Sequence, residues 1–420
     1  MTSQLGRIGI PIAVGTGQLY LAINIAAWAQ TLELSRHIAD SAAGGIRTAP
    51  PLHTVSLCRN GLPMNGARNN APVLNGTKIL IAGYRTFVYR LHYFSSTAIT
   101  PYSLDNVDQH FNDFVVKYNK IYADEEERLN RSQIFAENLK TIIELNARRE
   151  SHLYDVTHFM DLTQEEFTMR YTGLSEVFLT NDCPYLHDED IEDVDAPESF
   201  DWRDHNAVTP VKDQYDCSSC YAFSAIANIE SQVAIKYNMQ VDLSEQQIVD
   251  CNRRTLGCKE GLMAPTFRYL MEAGGAVSEP DYPYFGYQSQ CYFNRSWPLL
   301  NIYPRWPPVR VISCYSLRLT SQEKVKQLLY KYGPISIAIQ ADEFRYMGRV
   351  GIITDQFCTG PLNHAVLLVG YGTENGMPYW IVKNSWGSGW HDQGYFKMQR
   401  GEHAESCGMM NAGMAIAYIA

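Results

Sequence analysis

Cys220 opens a predicted helix, His364 heads a predicted strand and Asn384 closes another, and these three residue types together can run nucleophilic catalysis. A thiol attacks only as thiolate, and the first turn of a helix favours that anion through unsatisfied N–H groups and the positive end of the macrodipole. Local sequence alone leaves two other readings open. Cys217-x-x-Cys220 has the spacing of a redox pair, and Cys220 has the character of an inert core cysteine. A nucleophile also needs a base for its proton and a group to orient that base, and His364 and Asn384 are the candidates.

Those three residues need a scaffold, and the pattern supplies one. Ala222, Ala225, Ile226, Ile229 and Val233 form one apolar stripe of a helix over 219–237, which Ser218 or Ser219 can cap. Further helices are predicted over 244–251, 263–273 and 321–332. After Gly333 the period changes to that of strands in ISIAIQA, AVLLVGYG, YWIVKNSWG and GYFKMQR. Helices first and strands later predict an α+β enzyme of two lobes, with the site in the cleft between them.

Upstream, order begins near Asp105. Val107, Phe111, Phe114, Val115 and Tyr118 share a helical face, and a long charged helix follows over 124–149. Within it Glu127, Arg131, Phe135, Asn138, Ile142 and Asn146 advance by four, four, three, four and four residues, within a stripe of about 100°. Glu127 is set to pair with Arg131 one turn on. An extended segment over 154–161 and a small helix over 163–171 come next. The charge run HDEDIEDVD, 187–195, reads as a solvated linker and a domain boundary. Residues 30–101 carry no sustained period and read as a poorly ordered extension. Arg7 before an apolar run, with Ala27-Trp28-Ala29 after it, reads as a candidate secretion signal, although Thr16, Gln18 and Asn24 interrupt the run.

A net charge of −10 argues against a nucleic-acid partner, which needs a basic face. No uninterrupted apolar run reaches the ~18 residues of a membrane span. Ten cysteines with one C-x-x-C pair favour bridges over a metal site, and no metal or cofactor is expected. The sequons at Asn75, Asn130 and Asn294 are compatible with the secretory pathway.

QYDCSSCYAFSA, LNHAVLLVGYG and YWIVKNSWGSGWHDQGYF, with LSEQQIVDC between the first two, resemble the cysteine, histidine and asparagine blocks of the papain family, in its cathepsin L-like branch. The likeness runs from about Asp105 to the C-terminus. It implies that Cys220 attacks the scissile carbonyl to form an acyl-enzyme, that His364 acts as base and then acid, and that Asn384 orients the imidazole. It further implies that Gln214 and the Cys220 N–H form the oxyanion hole, and that Trp386 shields the His–Asn hydrogen bond. Family bridges map to Cys217–Cys258, Cys251–Cys291 and Cys358–Cys407, which would remove Cys217 as a redox partner. Cys58, Cys183 and Cys314 stay unassigned.

The stripe from Glu127 to Asn146 matches the ERFNIN pattern of the family's inhibitory propeptide. A second motif is half kept as Asp155, Thr157, Phe159 and Asp161. The resemblance therefore implies a papain-like two-lobed fold, one lobe helical and one β-barrel-like. It divides the chain into an extension over 1–104, a propeptide over 105–196 and a peptidase domain over 197–420, with cleavage near Asp195 to Pro197. In the family the propeptide runs backwards through the cleft and leaves at acidic pH. The acidic linker and Asp161 supply carboxylates whose protonation would loosen it.

Positions matching the main hydrophobic subsite are Leu262, Met263, Ala338, Leu362, Ala365 and Ala412, implying preference for Leu, Phe or Val two residues before the scissile bond. Gly261 matches the glycine that hydrogen-bonds the substrate backbone. Tyr215, Ser218 and Glu260 stand where the family usually has glycine, and Tyr221 where it has tryptophan; Glu260 would favour Arg or Lys immediately before the scissile bond. The expected activity is that of an endopeptidase made as a zymogen and monomeric once mature, with protein or peptide substrates, placed in a lysosome or vacuole or outside the cell. The alternative is a pseudoprotease that binds without turnover.

Overall fold

A computed structural model describes residues 14–15, 18–19, 21–24, 86–89, 102–148, 153–174, 182–293 and 308–420. The chain divides into two units, 1–101 and 102–420. In the first, Val14–Gly15 pairs with Gln18–Leu19, and Leu21–Asn24 with Thr86–Tyr89. Most of the expected signal segment, Cys58 and the sequons at Asn75 and Asn294 lie outside the described residues.

The second unit opens with three helices: α1 (Val107–Lys117), α2 (Glu125–Arg148) and α3 (Gln164–Tyr171). Phe111 and Phe114 of α1 meet Phe135 of α2 with ring centroids 5.5 and 5.1 Å apart. The polar members of the α2 stripe satisfy buried backbone. Asn138 donates to the carbonyls of Met160 and Leu162 at 2.8 and 2.9 Å, and Asn146 donates to Tyr154 at 3.0 Å. Arg131 binds the Asp161 carbonyl at 3.0 Å and the Glu166 carboxylate at 2.6 Å. Glu166 also closes a capping box with Thr163 at the start of α3. One stripe thus holds the turn and helix that follow it.

The remaining helices are α4 (Cys220–Tyr237), α5 (Gln246–Cys251), α6 (Met263–Ala273) and α7 (Gln322–Tyr332). Nine strands among the described residues make one sheet: β1 (Tyr185–His187), β2 (Phe200–Asp201), β3 (Val311–Arg318), β4 (Ile335–Ile339), β5 (Ile352–Ile353), β6 (His364–Glu374), β7 (Met377–Lys383), β8 (Tyr395–Gln399) and β9 (Met414–Ile419). Their order is β1-β3-β9-β4-β6-β7-β8-β5, with β2 paired to β6. The fold is mixed helix and sheet, but the sheet does not close into the expected barrel. It ends in two short strands, β1 and β5, each added in parallel to one neighbour.

HDEDIEDVD is not a free linker. His187 belongs to β1, Asp188 accepts from the Thr320 N–H at 3.0 Å, and Lys324 holds Asp193 at 2.8 Å. Lys331 pairs with Glu192, and Ile191 is buried. Glu192 and Asp193 meet lysines of α7, a complementarity that one-dimensional charge patterning cannot report.

Candidate active site

Cys220 is the first residue of α4, and His364 is the first of β6. Three buried polar side chains fix that helix against the sheet. Ser224 donates to the Val366 carbonyl at 2.8 Å, Ser336 to the Ser224 carbonyl at 2.9 Å, and Asn228 to Pro334 at 2.7 Å while accepting from Ala417 at 3.0 Å. This brings the Cys220 sulfur within 3.4 Å of the Ala365 N–H, one residue beyond His364. Ser219 is the N-cap residue of α4, but its hydroxyl meets Tyr284 and Cys217 rather than the first-turn N–H groups.

The His364 Nε2 and Asn384 Oδ1 lie 2.7 Å apart. The Ser385 N–H also donates to this Oδ1, at 2.8 Å, which fixes it as the amide oxygen. An amide oxygen only accepts, so Nε2 carries the hydrogen and Nδ1 keeps a lone pair. That Nδ1 is buried without a partner. The Trp386 ring stacks on His364 at 4.6 Å, and both are buried. Gln214 is held at both ends of its amide: Oε1 accepts from Ser385 at 2.7 Å, and Nε2 donates to the carbonyls of Cys217 at 3.0 Å and Tyr171 at 3.3 Å.

The Tyr171 contact belongs to a segment that fills the cleft. Gly173 and Leu174 donate to the Asn363 carbonyl on the sheet side at 3.0 and 3.1 Å, while Gly261 on the helical side donates to Gly173 at 2.9 Å. Leu174 bridges Gly261 in parallel and packs in the same apolar cluster as Cys220. Trp386 Nε1 donates to Tyr171 at 3.0 Å, and the Ser218 hydroxyl donates to Met169. A Cβ on Gly173 would lie 2.1 Å from the Ser218 carbonyl oxygen, so only glycine passes here.

Enclosure sets the charges. Burial pushes the Cys220 thiol up to about 12, against the opposing pull of the N–H groups of Ala365, Tyr221 and Cys220. Burial pulls His364 down to about 4, offset in part by Asn384. The closed site therefore holds a neutral thiol and a neutral imidazole.

Leu262, Met263 and Ala412 line one cavity of about 390 Å³. Ala338 and Ala365 face each other across β4 and β6 and pack with Leu362 in the cluster around Cys220. Glu260 is exposed beside Gly261. Tyr221 is buried, its hydroxyl donating to Gly257 at 2.8 Å, and its ring leaves no space for a Cβ on Gly261. Tyr215 takes a left-handed φ of 49° and is exposed. The structure contains Cys217–Cys258, Cys251–Cys291 and Cys358–Cys407, and it adds Cys183–Cys314. Sequence reasoning did not assign Asn363, Ser385 or the run Tyr171–Leu174. Asn363 and Ser385 sit inside the quoted motif strings, whereas Tyr171–Leu174 has no local signal beyond Gly173.

This arrangement defines a thiol-dependent hydrolase with its own cleft-filling segment in place. Residues 196–417 match the family model for papain family cysteine protease, and 111–167 match the cathepsin propeptide inhibitor domain (I29). The viral cathepsin of Mamestra configurata nucleopolyhedrovirus is 40% identical over 322 residues, 76% of this chain and 91% of that protein. That of Orgyia pseudotsugata multicapsid polyhedrosis virus is 42% identical over 318 residues, 76% and 94% of the two chains. Digestive procathepsin L2 proteinase from Tenebrio molitor larval midgut superposes with a TM-score of 0.65 at 34% identity, covering 74% of this chain and 99% of its own. The chain belongs to the papain family of cysteine proteases and carries the propeptide of a zymogen. Among the described residues, no helix is long and apolar enough to cross a membrane.

Proposed function

We propose that this protease is an endopeptidase in which Cys220 is the nucleophile, His364 the base and then acid, Asn384 the orienting group and Gln214 an oxyanion-hole donor. The observation that carries this reading is the imidazole held by Asn384 on one nitrogen, with a buried lone pair on the other, at the residue whose neighbour's N–H contacts the Cys220 sulfur. The thiol proton passes to Nδ1 as sulfur attacks the carbonyl carbon. Gln214 Nε2 and the Cys220 N–H stabilise the oxyanion. The imidazolium then protonates the departing amine, and water hydrolyses the thioester.

In the precursor the substrate's place is taken by Tyr171–Leu174, which occupies Gln214 and buries the pair in its neutral form. Removing this segment readmits water and lets the thiolate–imidazolium pair form. Cleavage near Asp195 to Pro197 completes maturation, and the mature peptidase over 197–420 is a monomer. The cavity of Leu262, Met263 and Ala412 takes Leu, Phe or Val two residues before the scissile bond. Disulfides support an oxidising route through the secretory pathway to a lysosome, vacuole or the exterior.

A peptide blocked at both ends tests the reading. Acid-processed enzyme should cleave it internally after Leu-X or Phe-X, and the Cys220→Ala protein should not. Activity retained in Cys220→Ala would end the assignment.

A further inference from the structure

Residues 182–193 precede the expected cleavage site, yet their described long-range anchors include a disulfide, a strand pairing and ion pairs to the peptidase domain. Cys183 is bonded to Cys314 of β3. Tyr185, Leu186 and His187 pair with Ser316, Leu317 and Arg318 as a parallel edge strand, and the Ser316 N–H donates to Pro184 at 2.9 Å. Asp182 meets Arg254 at 2.9 Å, and Lys324 holds the Ile191 carbonyl and the Asp193 carboxylate, each at 2.8 Å. The described contacts of the segment upstream, from Met169 to Leu174, are hydrogen bonds, apolar packing and the Arg170–Asp216 ion pair, none of them covalent. Backbone cleavage can release that upstream part, but it cannot release a strand tied by sulfur.

Tyr185 also lines the cavity shared by Leu262, Met263 and Ala412, with the Arg318 guanidinium 4.2 Å from its ring centroid. We propose that residues 182–193 remain on the mature enzyme as a disulfide-tethered edge strand, and that Tyr185 forms a wall of the pocket that selects the substrate's hydrophobic side chain. The second half rests on that cavity being the substrate pocket proposed above. Hydrolysis on either side of the strand consumes one water per bond and leaves the disulfide untouched.

The test starts from the full precursor, acid-processed, with Cys220 titrated by a thiol-directed epoxide and the protein then denatured for intact mass. The unreduced enzyme should include a peptide that contains Cys183 and ends near Asp195. A dithiol reductant should release this peptide, giving up two electrons and two protons as it closes to its own disulfide and Cys183 and Cys314 become thiols. An N-terminus upstream of Cys183 on a single chain supports retention equally. Epoxide-labelled enzyme lacking Cys183 before reduction overturns the proposal. Tyr185→Ala should change the ratio of kcat/KM for Phe against Val peptides at least threefold at equal epoxide titre, and an unchanged ratio overturns the pocket assignment. Failure of the epoxide to label wild-type enzyme refutes the catalytic reading instead, because the mass measurement needs no turnover.

Discussion

The Gly173 carbonyl accepts the Gly261 N–H at 2.9 Å, while its own N–H donates to Asn363 across the cleft. One residue between the two matched family regions thus bridges both sides of the site, and it does so at a point with no room for a side chain.

Gly173→Val should loosen the propeptide. A Cβ at 2.1 Å from the Ser218 oxygen forces the backbone apart, at a cost of about 1–3 kcal/mol. Processing should begin at higher pH and proceed roughly tenfold faster or more in a pH-jump assay, with kcat of the processed enzyme unchanged.

Acid release has identifiable sources. The Arg131 hydrogen bond holds Glu166 below its ordinary carboxylate range. Asp155, although burial works against it, is held low by Tyr102 and Arg349. Both contributions are complete above the ordinary carboxylate pKa and are lost as pH falls through the lowered values. His158 is pulled from 6.5 to about 3 by burial, with Lys120 adding to the effect. A propeptide that unfolds on release therefore binds a proton at His158 that the folded one refuses, so its hold weakens as pH falls below 6.5. His158→Phe, which keeps the ring, should flatten the processing profile between pH 6.5 and 4.5. An unaltered profile would remove His158 from the account.

Gln214→Ala should lower kcat about 10²–10³-fold with little change in KM, because the donor acts on charge that develops after binding. His364→Ala should lower kcat by about 10² or more. Steady-state kinetics on processed enzyme, normalised by folded mass, separates the two from loss of fold.

Glu260 is exposed at the rim beside Gly261, so its field is open to salt. Glu260→Gly should reduce the kcat/KM advantage of Arg over Leu immediately before the scissile bond several-fold at low ionic strength and less at high. Equal ratios in both proteins would show that Glu260 does not read the substrate.

The three motif strings were readable because each joins a proposed catalytic residue to the element that carries it: Cys220 to α4, His364 to β6, Asn384 to the end of β7. The helices around the core were readable by period. Strands β3 and β9 were not, since β3 follows a stretch rich in Trp and Pro and both earn their place through pairing distant in sequence. Cys183 and Cys314 looked unrelated because nothing local to either one predicts β1 lying along β3. The propeptide stripe gave its periodicity but not its targets, which are the backbone carbonyls of Met160, Leu162 and Tyr154.

The central claim is that Cys220 becomes a nucleophile only once the cleft segment has left. Peptide mapping after epoxide treatment, on precursor at neutral pH and on acid-processed enzyme, measures this directly. The account predicts stoichiometric modification of Cys220 after processing and almost none before. Equal labelling in both states, or labelling at another residue, would contradict it.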